Sequence, residues 1–332
     1  MRFPLLLSVL ALLPLSTSDE QVRQVLGHTA PMRATPVALS ADPAVRRAGA
    51  LVYLGGLRLS SEDRAFGGFS AIQVDGDRFT LLSDAGNIVR FRMGADLRPH
   101  ALAYGDLPGG PGTGWRKRQR DSESLARDPA TGRLWVGFEN HNAIWRYDDG
   151  FAHAERQANP REMADWPVAG GPEAMVRLRS GAFLVISETA RPKGKPKARE
   201  ALRFAGDPTE PGSAPLRFAY VPPAGYNPVD LAELPDGRLL VLNRDFRPVG
   251  LFTAKLALAD ARGVKQGAVV QGREIATLAG PLLHDNFEGI AVTREGNETI
   301  AWIVSDDNSQ FWEASLLLKF RLELPPEPEK GN

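Results

Sequence analysis

The sequence predicts an all-β protein, a single β-propeller, and three observations lead there. One hairpin plan recurs five times with its starts 53, 50, 57 and 58 residues apart. The strands in it are short and apolar. The 33 glycines and 26 prolines of the 332 residues are spread between those strands as punctuation rather than gathered in linkers.

The five segments run from Ser70 to Asp84, Glu123 to Glu139, Glu173 to Glu188, Asp230 to Asn243-Arg244, and Glu288 to Asp306. Each has a polar or acidic residue at both ends and two apolar strands between. A hairpin requires its turn midway, and turn residues stand there every time: Gly76-Asp77, Thr131-Gly132, Ser180-Gly181, Asp236-Gly237 and Gly296-Asn297. Runs such as Phe183-Leu184-Val185-Ile186 and Leu239-Leu240-Val241-Leu242 are apolar without alternation, as in strands buried on both faces. Ile144-Trp145-Arg146-Tyr147 and Leu316 to Phe320 supply further strands after the hairpins. Four strands per repeat make a propeller blade. The span predicts six blades, with five as the alternative, closed by pairing Leu51–Leu59 with Ser315–Leu324; closure removes exposed sheet edges. A pair of β-sandwiches is the competing fold.

Arg2, the apolar run Phe3 to Leu15 and the small residues Ser16-Thr17-Ser18 read as a cleaved secretory signal over 1–18. Its run of 13 apolar residues is shorter than the ~20 a membrane span requires, so a periplasmic or secreted protein without a membrane span is expected. An N-terminal extension (19–50), the propeller (51–324) and a short tail (325–332) follow. There is no cysteine, which excludes a disulfide framework. Lys plus Arg equal Asp plus Glu at 40 each, so no net field favours nucleic acid, and a monomer is expected.

In a hairpin the residue opening the first strand and the one closing the second lie at the same end. If these hairpins are the inner halves of the blades, Glu123, Glu173, Asp230 and Glu288 meet Asp84, Glu139, Glu188, Asn243 and Asp306 on one rim of the channel. Carboxylates about 5 Å apart at an effective dielectric of about 20 repel by on the order of 3 kcal/mol per pair. A divalent cation, protonation or arginine partners such as Arg120, Arg161 and Arg244 must offset this. Oxygen donors without thiols suit a hard ion, Ca²⁺ first. The candidate metal ligands are Glu123, Glu173, Glu288, Asp306, Asp307, Glu139, Glu188 and Asp84. The densest cluster is His284-Asp285-Asn286-Phe287-Glu288-Gly289 with Ser305-Asp306-Asp307-Asn308. Two basic loops, Arg116 to Arg120 and Arg191 to Arg199, border the same acids and suit an anionic substrate. Arg116, Arg118, Arg120, Asn286, Asn308 and Arg244 are the substrate-binding candidates. Of the five histidines, His141 and His284 adjoin rim motifs and are the candidate general bases. The serine elbow, the HExxH zinc motif and phosphate loops are all absent, which argues against an α/β serine esterase.

The series Gly68-Phe69-Ser70-Ala71 with Ser83-Asp84-Ala85-Gly86, Asp121-Ser122-Glu123-Ser124-Leu125, Gly171-Pro172-Glu173-Ala174, Asn227-Pro228-Val229-Asp230-Leu231, and Asn286-Phe287-Glu288-Gly289-Ile290 with Ser305-Asp306-Asp307-Asn308 resembles the bacterial "esterase-like activity of phytase" family from Leu51 to Leu324. That family is similar to β-propeller phytases, in which calcium on the channel rim holds phosphate for attack by water. The resemblance implies a metal-assisted hydrolase of a small ester or anionic substrate, a phosphoester among the options. One departure stands out: aligned on the turn glycine, Val229 and not Asp230 matches Glu173, so the fourth repeat is expected to contribute no ligand. A non-catalytic propeller that binds a ligand or protein, and a metal-dependent lactonase, are the competing functions.

Overall fold

A computed structural model of the chain describes residues 21–27, 31–247, 251–308, 310 and 313–324. The expected signal (1–18) and tail (325–332) lie outside the described residues. Five sheets form a propeller. Blade 1 comprises Phe69–Asp75, Arg78–Ser83, Asn87–Met93 and Pro99–Asp106, and blade 2 comprises Ser122–Arg127, Leu134–Phe138, Ala143–Tyr147 and Ala154–Ala158. Blade 3 comprises Ala174–Arg177, Phe183–Ile186, Arg199–Phe204 and Leu216–Val221; blade 4 comprises Asn227–Glu233, Leu239–Arg247, Leu251–Ala259 and Arg273–Leu278. Blade 5 takes three strands from the end of the chain, Phe287–Glu295, Glu298–Ser305 and Ser315–Leu322, and its fourth from the start, Leu51–Ser60.

The expected closure is therefore present, and the blade count is five, not six. Leu51–Ser60 completes the fifth sheet instead of beginning one of its own. Arg33–Pro36 and Arg47–Ala48 then cover the outer side of that strand. Blade 3 is protected differently: Val269–Gln271, from the loop before the last strand of blade 4, pairs in parallel with Leu216–Val221.

The first strands of neighbouring blades pack against one another all the way round, so the hairpins are indeed the inner halves of the blades. Their turns fall where the letters place them, with Gly181 and Gly237 at φ 86° and 85°, a backbone conformation an L-residue adopts only under strain. Leu134–Phe138 and Phe183–Ile186 are buried throughout, as continuous apolar runs require. Blades meet through interdigitated aromatics. Phe79 of blade 1 meets Trp302 of blade 5 edge-on at 4.7 Å, and Trp135 of blade 2 meets Phe183 of blade 3 at 4.8 Å. Each such pair adds about 0.5–1.5 kcal/mol beyond its buried area.

Near the channel mouth the joints are polar. The Ser70 hydroxyl donates to the Ser122 carbonyl at 2.5 Å, Ser122 to Ser83 at 2.7 Å, and Ser124 to Pro172 at 2.7 Å. Asp230 does the same work between blades 4 and 5. It is 4% exposed, and its carboxylate accepts the amides of Leu231 at 2.8 Å and Ile290 at 2.7 Å. It is thus a joint between two inner strands and does not belong to the acid cluster at the mouth.

Candidate functional site

The rim is built by one device repeated in sequence. At the start of the inner hairpin the register skips a residue between Phe69 and Ala71, Ser122 and Ser124, Pro228 and Asp230, and Phe287 and Gly289. The residue skipped at each β-bulge is Ser70, Glu123, Val229 or Glu288, and Glu173 stands at the matching place just before the inner strand of blade 3. A bulge leaves its extra residue out of the ladder and re-aims the side chain. Blades 2, 3 and 5 thus supply a glutamate, blade 1 a serine and blade 4 a valine, in agreement with the turn-glycine alignment.

A second ring follows the second strands. The amides of Asp84, Glu139, Glu188 and Asp306 each bond to the carbonyl of a residue just ahead of their own inner strand: Gly68, Asp121, Gly171 and Asn286. In blade 4 the corresponding residue, paired with Asn227, is Arg244. Gly68, at φ +64°, lets this ring close, because a Cβ there would lie 2.7 Å from Asp84 Oδ1.

Two resident cations divide the acids. Arg244 bonds to Glu288, reaches Glu188 at 3.0 Å and donates to Asn286 Oδ1 at 2.7 Å; Asn286 in turn donates to Glu288 at 2.9 Å. Burial opposes the charge of Arg244, but Glu288, Glu188 and Glu173 more than offset it and hold the guanidinium protonated. On the other side Lys117 Nζ lies 2.5 Å from Asp84 Oδ2 and 3.4 Å from Asp121 Oδ1, and these acids likewise outweigh its desolvation.

Between them lies a gap that Lys117 borders at Asp121. Asp121, Glu123 and Glu139 offer carboxylate oxygens within 4.8 Å of one another. Glu139 accepts the amide of Gly170 and makes carboxyl–carboxyl contacts with both Asp121 and Glu173. Asn140 donates to Asp121. Glu123 is 9% exposed and Glu173 5%. Burial, then Glu173, Asp121, Glu139 and Glu288, push the Glu123 carboxyl well above the usual range; burial, then Glu188 and Glu139, do the same to Glu173. Asp121 is pushed up to about 7 by burial against the opposing pull of Lys117. Near Gly68, burial and then Asp84 and Glu288 raise Asp306 well above its ordinary value, and burial raises Asp285 to about 6. The oxygen-only donor set in the gap, with its crowded acids, fits a hard divalent cation.

The remaining candidates take varied places. His141 ends the 3-10 turn Glu139–His141, which packs against the 3-10 turn Lys117–Gln119. Burial and Arg118 lower its pKa. Arg116 and Arg118 are exposed beside it. Arg120 is buried and donates to the Pro111 carbonyl at 2.7 Å, packed against Gly110 and Gly114; its charged neighbours are Arg23 and Asp106, not the rim acids. Arg161 is exposed on a turn after the outer strand of blade 2. Asn243 is buried, bonded to Tyr220 and to the carbonyls of Val241 and Lys255. Asp307 accepts the Gly68 amide at 3.1 Å and the Ser315 hydroxyl at 2.7 Å, tying blade 5 to blade 1. Asn308 donates to Glu313 at 2.7 Å. His284 Nδ1 lies 2.7 Å from the Leu282 carbonyl.

Two residues central to this geometry escaped the reading of the sequence as site residues. Asp121 precedes the bulge by two positions, and Lys117 sits in a basic run that reads as substrate-facing. The signal for Lys117 was its spacing of four from Asp121, one turn that turns the ammonium back onto the acids.

Comparison with known proteins gives the following. No protein of curated function matches the sequence. Among solved structures, Kuenenia stuttgartiensis hydrazine synthase matches at 12% identity and TM-score 0.37 over 74% of this chain, which spans only 58% of that one. Myxococcus xanthus glutaminyl cyclase matches at 12% identity and TM-score 0.45 over 92% of this chain and 100% of its own. The Malassezia sympodialis allergen Mala s 1 matches at 11% identity and TM-score 0.44 over 90% of this chain and 98% of its own. The phytase-like family profile, described as "esterase-like activity of phytase", matches residues 64–309, from the loop before blade 1 to the end of the Ser305–Asn308 motif, and the chain belongs to that family.

Proposed function

We propose that the channel mouth is the active site of an exported ester hydrolase that works with one bound divalent cation, Ca²⁺ by the chemistry of its donors. The observation that carries this reading is the gap at Asp121, Glu123 and Glu139: a buried carboxylate crowded between two half-buried ones, with Lys117 reaching Asp121 from one side and Arg244 engaged by Glu188 and Glu288 on the other. When bound, the ion would polarise the ester oxygen and lower the pKa of an attacking water.

The chain's own residues supply the rest. Asp121, Glu123 and Glu139 would hold the ion, with Glu173 beside them. His141 shares its turn with Glu139, and its lowered pKa keeps the imidazole neutral near pH 7 and able to take a proton at the mouth. Arg118 and Arg116, exposed on the adjoining loop, would orient the anionic part of the substrate. Arg244, kept protonated by Glu188 and Glu288, holds both in place.

The test is turnover of generic phosphoesters, carboxyl esters and lactones before and after chelation, with Ca²⁺ then restored. Loss on chelation and recovery with Ca²⁺ is expected for the phosphoester or the carboxyl ester. Preference for lactones would move the assignment to a lactonase. Undiminished turnover in chelator, or no turnover on any panel with metal present, contradicts the proposal; the latter leaves a binding propeller.

A further inference from the structure

Residues 21–27 belong to no blade, yet they are bound along their length to the wall of the mouth. The Arg23 amide donates to the Trp115 carbonyl at 2.9 Å and the Lys117 amide to the Gln21 carbonyl at 3.1 Å, forming a short antiparallel bridge at Val22 and Arg116. Asn87 of blade 1 accepts the Leu26 amide at 2.9 Å and donates to the Gln24 carbonyl at 3.1 Å; Gly27 donates to Asp63 at 2.8 Å. Leu26 is buried between these contacts.

The Arg23 side chain, 8% exposed, joins two loops. Its Nε donates to the Gly114 carbonyl at 3.0 Å, on the loop that leads to Lys117. One terminal nitrogen donates to the Ala85 carbonyl at 2.9 Å, the residue after Asp84, and the other to Asp106 Oδ2 at 2.7 Å. Lys117 and Asp84 are the two members of one rim ion pair, so a single guanidinium braces both ends of it. Arg120 also lies between Gly86 and the Gly110–Gly114 loop, so Arg23 adds the tie that comes from outside the blades, to a stretch, Gly109 to Arg116, that forms no strand.

We propose that Gln21–Gly27 is a positioning strap: by tying Ala85 to Gly114, Arg23 keeps the Lys117 ammonium on Asp84 and holds one of the two resident positive charges of the mouth in place. Arg23 touches neither the acids nor the gap between them and acts through Lys117. The consequence for cation binding rests on the reading of the mouth given above; the tether itself does not.

The test is the acylation rate of individual lysines by an amine-reactive reagent, read by mass spectrometry in excess chelator. An ion-paired, half-buried ammonium reacts slowly. Arg23→Ala is expected to raise the Lys117 rate by about five-fold or more, toward that of exposed Lys197, while Lys255 and Lys319, on the third strands of blades 4 and 5 and paired with Glu274 and Glu295, stay unchanged. Arg23→Lys should recover part of the protection. Asp106→Asn, which leaves the bonds to Ala85 and Gly114, is the milder variant should Arg23→Ala not fold, with an intermediate rate expected. In a parallel Ca²⁺ titration, Arg23→Ala and Lys117→Met should each tighten binding by about three- to ten-fold, and together no further, since both remove the same neighbouring positive charge.

An unchanged Lys117 rate in the folded variants overturns the strap, as does a rise shared by all lysines, which marks general loosening. Weaker Ca²⁺ binding in Arg23→Ala beside tighter binding in Lys117→Met also overturns it. Absence of Ca²⁺ binding to the unaltered protein removes the cation reading and leaves the lysine result standing.

Discussion

Arg244, at the end of the second strand of blade 4, is bonded to Glu288 of blade 5 and 3.0 Å from Glu188 of blade 3, so one guanidinium holds three blades at the mouth. Its place in the ring is the one that carries an acid in every other blade, and its own inner strand carries Val229 where three others carry glutamate. Blade 4 therefore supplies the counter-charge and no acid.

Replacing Arg244 with Met leaves buried Glu288 and half-buried Glu188 without their cation. Breaking a buried pair from one side costs about 3–5 kcal/mol, and a loss in that range is expected from chemical denaturation at pH 8. The loss should shrink at pH 5, because burial raises the Glu288 carboxyl and the loss of Arg244 removes the pull that opposes this. An equal loss at both pH values would show that Arg244 acts by packing on Phe252, over whose ring it lies, and not by charge.

Glu123→Gln keeps the shape of the side chain and removes its charge from the gap. The cation-free protein is expected to gain about 1–2 kcal/mol, roughly 2–4 °C in melting temperature, because each like-charged neighbour removed relieves repulsion. The same change should weaken Ca²⁺ binding at least about ten-fold. Differential scanning calorimetry with and without Ca²⁺ checks both signs at once; a destabilised variant with full Ca²⁺ affinity would contradict the placement of Glu123.

Asp230 gives a pH dependence whose sign can be worked out. Burial raises its folded pKa well above 3.8, against the pull of the two amides it accepts. The folded protein therefore holds a proton that the unfolded chain has released, and the stability tied to this group is lost as pH rises from about 4 through the raised value. Asp230→Asn presents an NH₂ to one of those amides and should cost about 1–3 kcal/mol at pH 4. Its deficit should narrow toward pH 8, where only the unaltered protein must keep on a buried acid a proton that its unfolded chain has released. Denaturation midpoints across that range decide it, and a deficit that widens with pH would refute the assignment.

Much of the fold was legible because propeller strands are buried on both faces, so Phe183–Ile186 and its counterparts stand out as apolar runs, and because each hairpin needs glycine at its turn. The blade count was less so: the pairing of Leu51–Ser60 with Ser315–Leu322 was legible, but not that the latter also pairs with Glu298–Ser305, which makes both part of the fifth blade and gives the alternative count of five. The bulge positions were visible through spacing to the turn glycine, which separated Val229 from Asp230. What the letters could not give was direction. Arg120 and Lys117 lie three apart in one basic run, yet the first turns under the Gly110–Gly114 loop and the second onto Asp84. Local charge does not distinguish them, because the differences lie in distant contacts: Arg120 donates to the Pro111 carbonyl, and the loop that leads to Lys117 is tied at Gly114 to Arg23, 91 residues earlier.

The most direct measurement is a calorimetric titration of chelator-stripped protein with Ca²⁺, run beside Glu123→Gln and Glu139→Gln. Saturable binding of one ion per chain, lost in both variants, is the expected result. A flat titration, or binding that both variants retain, would mean that the buried acids of the mouth are neutralised by protons and by Lys117 and Arg244 alone, and that the gap between them holds no metal.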